Sequence, residues 1–149
     1  MKLHLGAGNS IKEGYFNHDI IKHRSEIDFA FDLNLPEWPL EHDSYDVIRA
    51  IDVIEHIPQT DEKKFIETIY DHLEEDGFCC IGTPNITANQ YASEASKMGH
   101  INLFDAERLR QLLGEYFKNV FIFGMNDEVL HTGFYPMCHY LMALASVKK

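Results

Sequence analysis

The sequence predicts a doubly wound α/β domain, and three observations carry that prediction. Apolar runs of strand length alternate with two amphipathic helical stretches. A tight turn, Gly6-Ala7-Gly8, follows the first run at once, and two acids, Asp19 and Asp32, close the second and third. Strand, helix, strand, helix, strand along the rest of the chain is the grammar of a sheet with helices on its faces. At 149 residues there is enough chain for one ordinary core, so residues 1–149 are read as a single domain.

The first strand is Lys2-Leu3-His4-Leu5, and the second spans Tyr15 to Ile20. The third, Ile27 to Asp32, alternates apolar and polar residues, as a half-solvated edge strand does. Asn34 to Pro39 then breaks regular structure. The fourth run, Tyr45 to Ile51, is richer in β-branched residues and suits a central parallel strand. Thr60 is placed to cap a helix whose first turn holds Asp61 and Glu62, where the helix dipole favours acids. Phe65, Ile66, Ile69, Tyr70 and Leu73 mark its apolar face, and Gly77 its stop. Phe78 to Gly82 is the strand that follows. A second helix starts near Asp105 and buries Leu109, Leu112, Leu113, Tyr116 and Phe117. Asn119 to Phe123 and then His139 to Val147 complete the strands.

Composition narrows the function. Thirteen Lys+Arg against 24 Asp+Glu leave a net charge of −11, which repels phosphate backbones, so nucleic acid is not an expected partner. No apolar stretch approaches the ~20 residues that span a bilayer, and the N-terminus has no signal-peptide core. The three cysteines include the adjacent Cys79-Cys80 inside an apolar run, without metal-binding CxxC spacing. They read as free thiols of a reducing compartment, so a cytoplasmic location is expected.

The chemistry begins at the glycine turn. Glycines there let backbone approach a ligand closely, and the ligand crevice of an open α/β sheet lies at the carboxyl ends of its strands. A carboxylate ending the neighbouring strand, as Asp19 does, is placed to accept both hydroxyls of a ribose. A nicotinamide site fits poorly. Its G-x-G-x-x-G fingerprint meets Ile11 at the third glycine, and Asp19 lies 11 residues beyond Gly8 where about 20 are usual. The pattern suits an adenosine ribose without a pyrophosphate.

These segments resemble the class I S-adenosylmethionine-dependent methyltransferases over nearly the whole chain. Leu3-His4-Leu5-Gly6-Ala7-Gly8 is similar to the family's first loop, Asp19 to its ribose-binding acid, and Asp32-Leu33 to the pair beside the adenine. Tyr45-Asp46-Val47-Ile48 leading to Val53-Ile54-Glu55-His56-Ile57 resembles its fourth-strand signature. Leu73 to Phe78 and His100 to Asp105 resemble the steps into its fifth strand and penultimate helix. The resemblance implies a Rossmann-like, mostly parallel sheet with an antiparallel last strand, and S-adenosylmethionine as cofactor. It assigns Gly6, Ala7, Gly8, Asn9, Asp19, Asp32 and Leu33 to cofactor binding, with Ile51 and Asp52 lining the methionine end.

The chain also departs from that family. The first strand begins at Lys2, where relatives usually place a helix, so the chain reads as an N-terminally shortened member. Nine residues separate Gly6 from Phe16, and six separate Ile20 from Ile27, too few for helical crossovers of a dozen residues or more. The early helices are therefore expected to be short or missing, leaving one sheet face thinly covered. Self-association, or packing of the C-terminal segment, is expected over it.

His56 and His100 are the candidate catalytic residues, because an imidazole titrates near working pH. Either also reads as a structural histidine, and Asp52 as polar lining. The histidines have no HxxxH or HExxH spacing, so no metal is expected. Pro84-Asn85 resembles a position near the acceptor or is a plain turn, and Trp38 reads as a loop anchor before an adenine stack. Ile86 to Met98 reads as a lid or a surface helix. The resemblance implies a methyltransferase acting on a small molecule or sugar, at oxygen. The alternative is a non-catalytic subunit that binds cofactor or a partner.

Overall fold

A computed structural model describes residues 1–127 and 129–149 of the chain. Among these, β1 (Lys2–Leu5), β2 (Phe16–Asp19), β3 (Phe29–Ala30), β4 (Tyr45–Ile51), β5 (Leu73–Pro84), β6 (Phe117–Asn126), β7 (Val129–His131) and β8 (Tyr140–Lys148) form one sheet. Its order is β3-β2-β1-β4-β5-β8-β6-β7. Strands β1 to β5 pair in parallel, and β8 enters antiparallel between β5 and β6. This is the expected mostly parallel sheet with an antiparallel last strand. Its order reverses between β1 and β4, which opens a crevice at their carboxyl ends.

Three helices, α1 (Glu62–His72), α2 (Glu94–Gly99) and α3 (Ala106–Gly114), accompany the described strands. Phe65, Ile66 and Ile69 of α1 and Leu109, Leu112 and Leu113 of α3 pack onto Leu3, Ile48, Ala50, Ile81 and Ala143 of the sheet to form the core. Asp105 caps α3, its carboxylate accepting the Arg108 N–H at 2.7 Å. Both connections before β3 are loops and turns, as their lengths predict.

The chain differs from the sequence reading at several places. Leu73, read on the face of the first helix, opens β5, and Phe117, read on the second, opens β6. The third strand shrinks to Phe29–Ala30 because the Asp28 carboxylate accepts the Asn17 N–H at 2.7 Å, replacing a ladder carbonyl. Thr60 does not cap α1; it lies inside a 3-10 turn, Gln59–Asp61, that precedes the helix. Gly77 does not stop that helix, which ends at His72. A Cβ on Gly77 would lie 3.0 Å from the Glu74 and Tyr45 carbonyl oxygens, so glycine there answers a close approach within β5. The hairpin strand β7 has no forerunner in the sequence reading.

The opposite face of the sheet lies outside that core. In-register neighbours Cys80, Leu144 and Phe121 share it, as do Met142 and Phe123, alternating with the core residues Ile81, Ala143 and Ile122. Phe121 there is 56% exposed and Phe78 39%. The C-terminal segment cannot cover this face, since it is β8 and lies within the sheet. The three cysteines are free, Cys79 and Cys138 buried and Cys80 half-buried. Burial pushes the Cys79 thiol up to about 12, which keeps it protonated and inert. Among the described residues, no helix is long and apolar enough to cross a membrane.

Buried His4 of β1 ties strands together through its neutral form. Its Nδ1–H donates to Asn17 Oδ1 at 3.2 Å, and its Nε2 accepts from Arg49 Nη1 at 2.6 Å. Burial, then the Arg49 charge, lowers its pKa from 6.5 to about 4. The unfolded chain therefore takes up this proton first, so the contribution of His4 is complete above pH 6.5 and lost as pH falls toward 4. The shift corresponds to on the order of 3 kcal/mol. Denaturant titrations of wild type and His4→Gln should differ most near neutral pH and converge below pH 4.5 (roughly, from the same linkage).

Candidate active site

The crevice forms because the turn after β1 is stitched to the end of β2. Gly6 and Gly8 adopt positive φ of 61° and 53°, which glycine allows without strain. Gly6 N–H donates to His18 Nδ1 at 3.2 Å, Ala7 N–H to the His18 carbonyl at 2.8 Å, and Gly8 N–H to Asp19 Oδ2 at 3.0 Å. A Cβ on Gly6 would meet Val53 Cγ2 at 2.6 Å, so the loop approaches the next strand's exit as closely as backbone permits. His18 is buried and donates from Nε2 to the Phe31 carbonyl at 2.8 Å, fixing its neutral tautomer. Burial lowers its pKa accordingly.

These elements enclose a cavity of about 400 Å³, within the roughly 300–1,000 Å³ of small-molecule sites. Gly6, Gly8, Asp19, Asp32, Leu33, Asp52 and His56 line it, and the structure thereby brings together most of the residues singled out in the sequence. Ala7 is buried beneath the loop, Asn9 is exposed, and both lie outside the lining. Ile51 also lies outside it; its side chain packs over Gly82, where a Cβ would meet Ile51 Cδ1 at 2.8 Å. Sequence reasoning missed His18, Ile20, Phe31, Asn34, Val53 and Ile57 of the lining. Only the position of His18 beside Asp19, ending the strand next to the glycine turn, offered a signal.

The lining fits an adenosine. Asp19 Oδ2 takes the Gly8 N–H and Oδ1 the Ile20 N–H at 2.8 Å, and each oxygen keeps a lone pair for a ribose hydroxyl. Asp32 is held by the Asn34 backbone N–H at 2.9 Å and side-chain amide at 3.1 Å, which aims Leu33 into the cavity. Trp38 is a loop anchor, its indole donating to the Leu33 carbonyl at 3.1 Å and packing against Phe31, Phe65 and His72. Asp52, at φ 57°, is turned into the crevice and accepts the Tyr140 hydroxyl at 2.8 Å.

His100 does not line this cavity. It lines a neighbouring one of about 290 Å³ with Pro84, Asn89, Tyr91, Ser96 and His139, under the segment 86–100. That segment is a 3-10 turn, Ile86–Tyr91, followed by α2. Asn85 is a structural anchor: it is buried, and its amide donates to the Tyr135 and Cys138 carbonyls. The two cavities meet at His56 and His100, whose ring centres are 5.6 Å apart. Behind them lies Glu55, fully buried, whose carboxyl is pushed up to about 7 by burial and by the neighbouring Asp52 charge.

Comparison with known proteins agrees with this fold. Residues 7–117 match the methyltransferase domain family. A SAM-dependent methyltransferase of Thermotoga maritima, described as a possible histamine N-methyltransferase, superposes with a TM-score of 0.74 at 15% identity, covering 97% of this chain and 80% of its own. A SAM-dependent methyltransferase of Archaeoglobus fulgidus gives 0.72 at 15% identity, with 99% and 85% covered. The Burkholderia thailandensis 1,6-didemethyltoxoflavin-N1-methyltransferase, bound to its acceptor and S-adenosylhomocysteine, gives 0.63 at 14% identity, with 99% and 71% covered. No curated protein matches in sequence. With three quarters of its length inside the family's match, the chain belongs to the methyltransferase domain family, and is a class I S-adenosylmethionine-dependent methyltransferase.

Proposed function

We propose that the chain transfers a methyl group to an oxygen of a small molecule or sugar held in the neighbouring cavity. The observation that carries this reading is the meeting of the two cavities at His56 and His100, with a buried carboxyl behind them. Asp19 holds the ribose hydroxyls, Asp32 and Leu33 flank the adenine, and Asp52 lies toward the methionine end. The cofactor supplies a methyl on a positively charged sulfur, already electrophilic, so the protein chiefly holds the acceptor in line. A hydroxyl must also shed its proton, whereas a neutral amine attacks through a free lone pair. Two imidazoles at the gap are equipment for an acceptor of the first kind. The three free thiols suit action in the cytoplasm, where disulfides are rare.

We also infer that a second copy of the chain covers the bare sheet face. Exposed apolar surface is unfavourable by roughly 25 cal/mol per Å², and the chain's own last segment is committed to the sheet interior.

Calorimetric titration with S-adenosylhomocysteine tests the cofactor assignment. Asp19→Ala should weaken binding about tenfold or more, or ~1.4 kcal/mol. Asp28→Ala, outside the cavity, should weaken it less; equal losses count against the ribose role. Incubation with S-adenosylmethionine and matched hydroxyl and amine acceptors, with products read by NMR, should place the new methyl on oxygen. A product methylated at nitrogen or carbon removes that part of the reading. Light scattering should find a dimer that Phe78→Ser with Phe121→Ser converts to monomer; a wild-type monomer discards the second copy.

A further inference from the structure

We propose that Glu55, His56 and His100 form a binding site for a divalent transition-metal ion, such as Zn²⁺, where the two cavities meet. One ligand atom from each residue lies within 4.8 Å of the other two. Two ligand bonds of roughly 2.0–2.2 Å span most of that separation.

The surroundings hold these atoms ready. Thr83 donates its hydroxyl to Glu55 Oε2 at 3.0 Å, leaving Oε1 buried, without a partner, and 3.9 Å from His56 Nε2. His56 Nδ1 lies 2.6 Å from the Gly99 carbonyl oxygen, which can only accept, so Nδ1 carries the proton and Nε2 presents its lone pair. His100 Nδ1 is likewise buried without a partner. The loop carrying it is pinned to the same glutamate, because the Ile101 and Asn102 N–H groups donate to the Glu55 carbonyl at 3.0 and 3.1 Å. A buried polar atom without a partner is unfavourable by roughly 1–3 kcal/mol, and the residues of this cluster hold two such atoms. A cation between them would relieve that cost.

Two imidazoles with one carboxylate suit a first-row transition ion better than Mg²⁺ or Ca²⁺, which prefer an all-oxygen shell. Three protein ligands leave a coordination position open, as catalytic zinc sites do. On the reading of oxygen transfer above, the acceptor hydroxyl takes that position. Its O–H bond breaks and the proton passes to bulk water. The oxygen lone pair forms the bond to the methyl carbon while the methyl–sulfur bond breaks, its electron pair remaining on sulfur. His56 and His100 then act as ligands, and the ion lowers the pKa of the hydroxyl.

The test is calorimetric titration of metal-free chain with Zn²⁺ and with Mg²⁺. Wild type should bind one Zn²⁺ per chain, more tightly than Mg²⁺. Glu55→Gln, which keeps the shape of the side chain, and His100→Ala should each weaken Zn²⁺ binding about tenfold or more. His139→Ala, in the same cavity but outside the cluster, should leave it unchanged. Melting of each variant in metal-free buffer confirms that it folds. Absence of stoichiometric Zn²⁺ binding, or binding that survives both cluster variants or falls equally in His139→Ala, overturns the site. Stoichiometric binding accompanied by methylation at nitrogen supports the site and removes only the reading of oxygen transfer.

Discussion

The constraint on which the molecule depends is the approach of the β1 turn to the ends of its two neighbouring strands. Gly6 has no room for a Cβ against Val53, and its N–H is taken by His18 while that of Gly8 is taken by Asp19. The same contacts that close the turn also aim a carboxylate into the crevice and orient the imidazole that joins β2 to Phe31. Folding of this corner and construction of the crevice are therefore one event. A substitution that loosened the turn would disturb both, because the Gly8 and Gly6 N–H groups donate to Asp19 Oδ2 and His18 Nδ1.

A second dependence runs through Glu55. Its backbone carbonyl holds the loop 100–102, its side chain is held by Thr83 of β5, and its unpartnered oxygen faces His56. Asn102 and Arg108 extend this clamp to Glu62 of α1, at 2.8 and 2.6 Å. The loop 100–102 is thus fastened to the exit of β4, beside the crevice. A buried acid with its pKa raised is characteristic of sites where chemistry, more than stability, selects the residue.

The two faces of the sheet differ: α1 and α3 pack on one, and apolar side chains such as Phe121 and Leu144 lie on the other. Arg49 and His4 relieve part of that face by a hydrogen bond that requires a neutral imidazole, which makes this region sensitive to acid.

Local information was enough for the strand–helix alternation, the glycine turn and the carboxylate that ends β2, whereas Asp32 lies beyond the end of the shortened β3. Glycine and strand-end acids have a restricted conformational or chemical use wherever they occur, so spacing along the chain reveals them. Boundaries were less legible where side chains replace backbone partners, as Asp28 does for β3, or where a glycine answers a distant carbonyl, as Gly77 does. The placement of His18 and the insertion of β8 between β5 and β6 rest on pairing between residues far apart in sequence. The meeting of Glu55, His56 and His100 belongs to the same class: His100 lies 44 residues beyond His56, and it is brought there by the Glu55 carbonyl, which captures Ile101 and Asn102, and by the His56 bond to the Gly99 carbonyl. Sequence alone determined the glycine turn and marked candidate residues around it, since their chemistry is local; the tertiary structure decided which of them share a cavity and which donors lie beside it, since convergence is a property of distance in space.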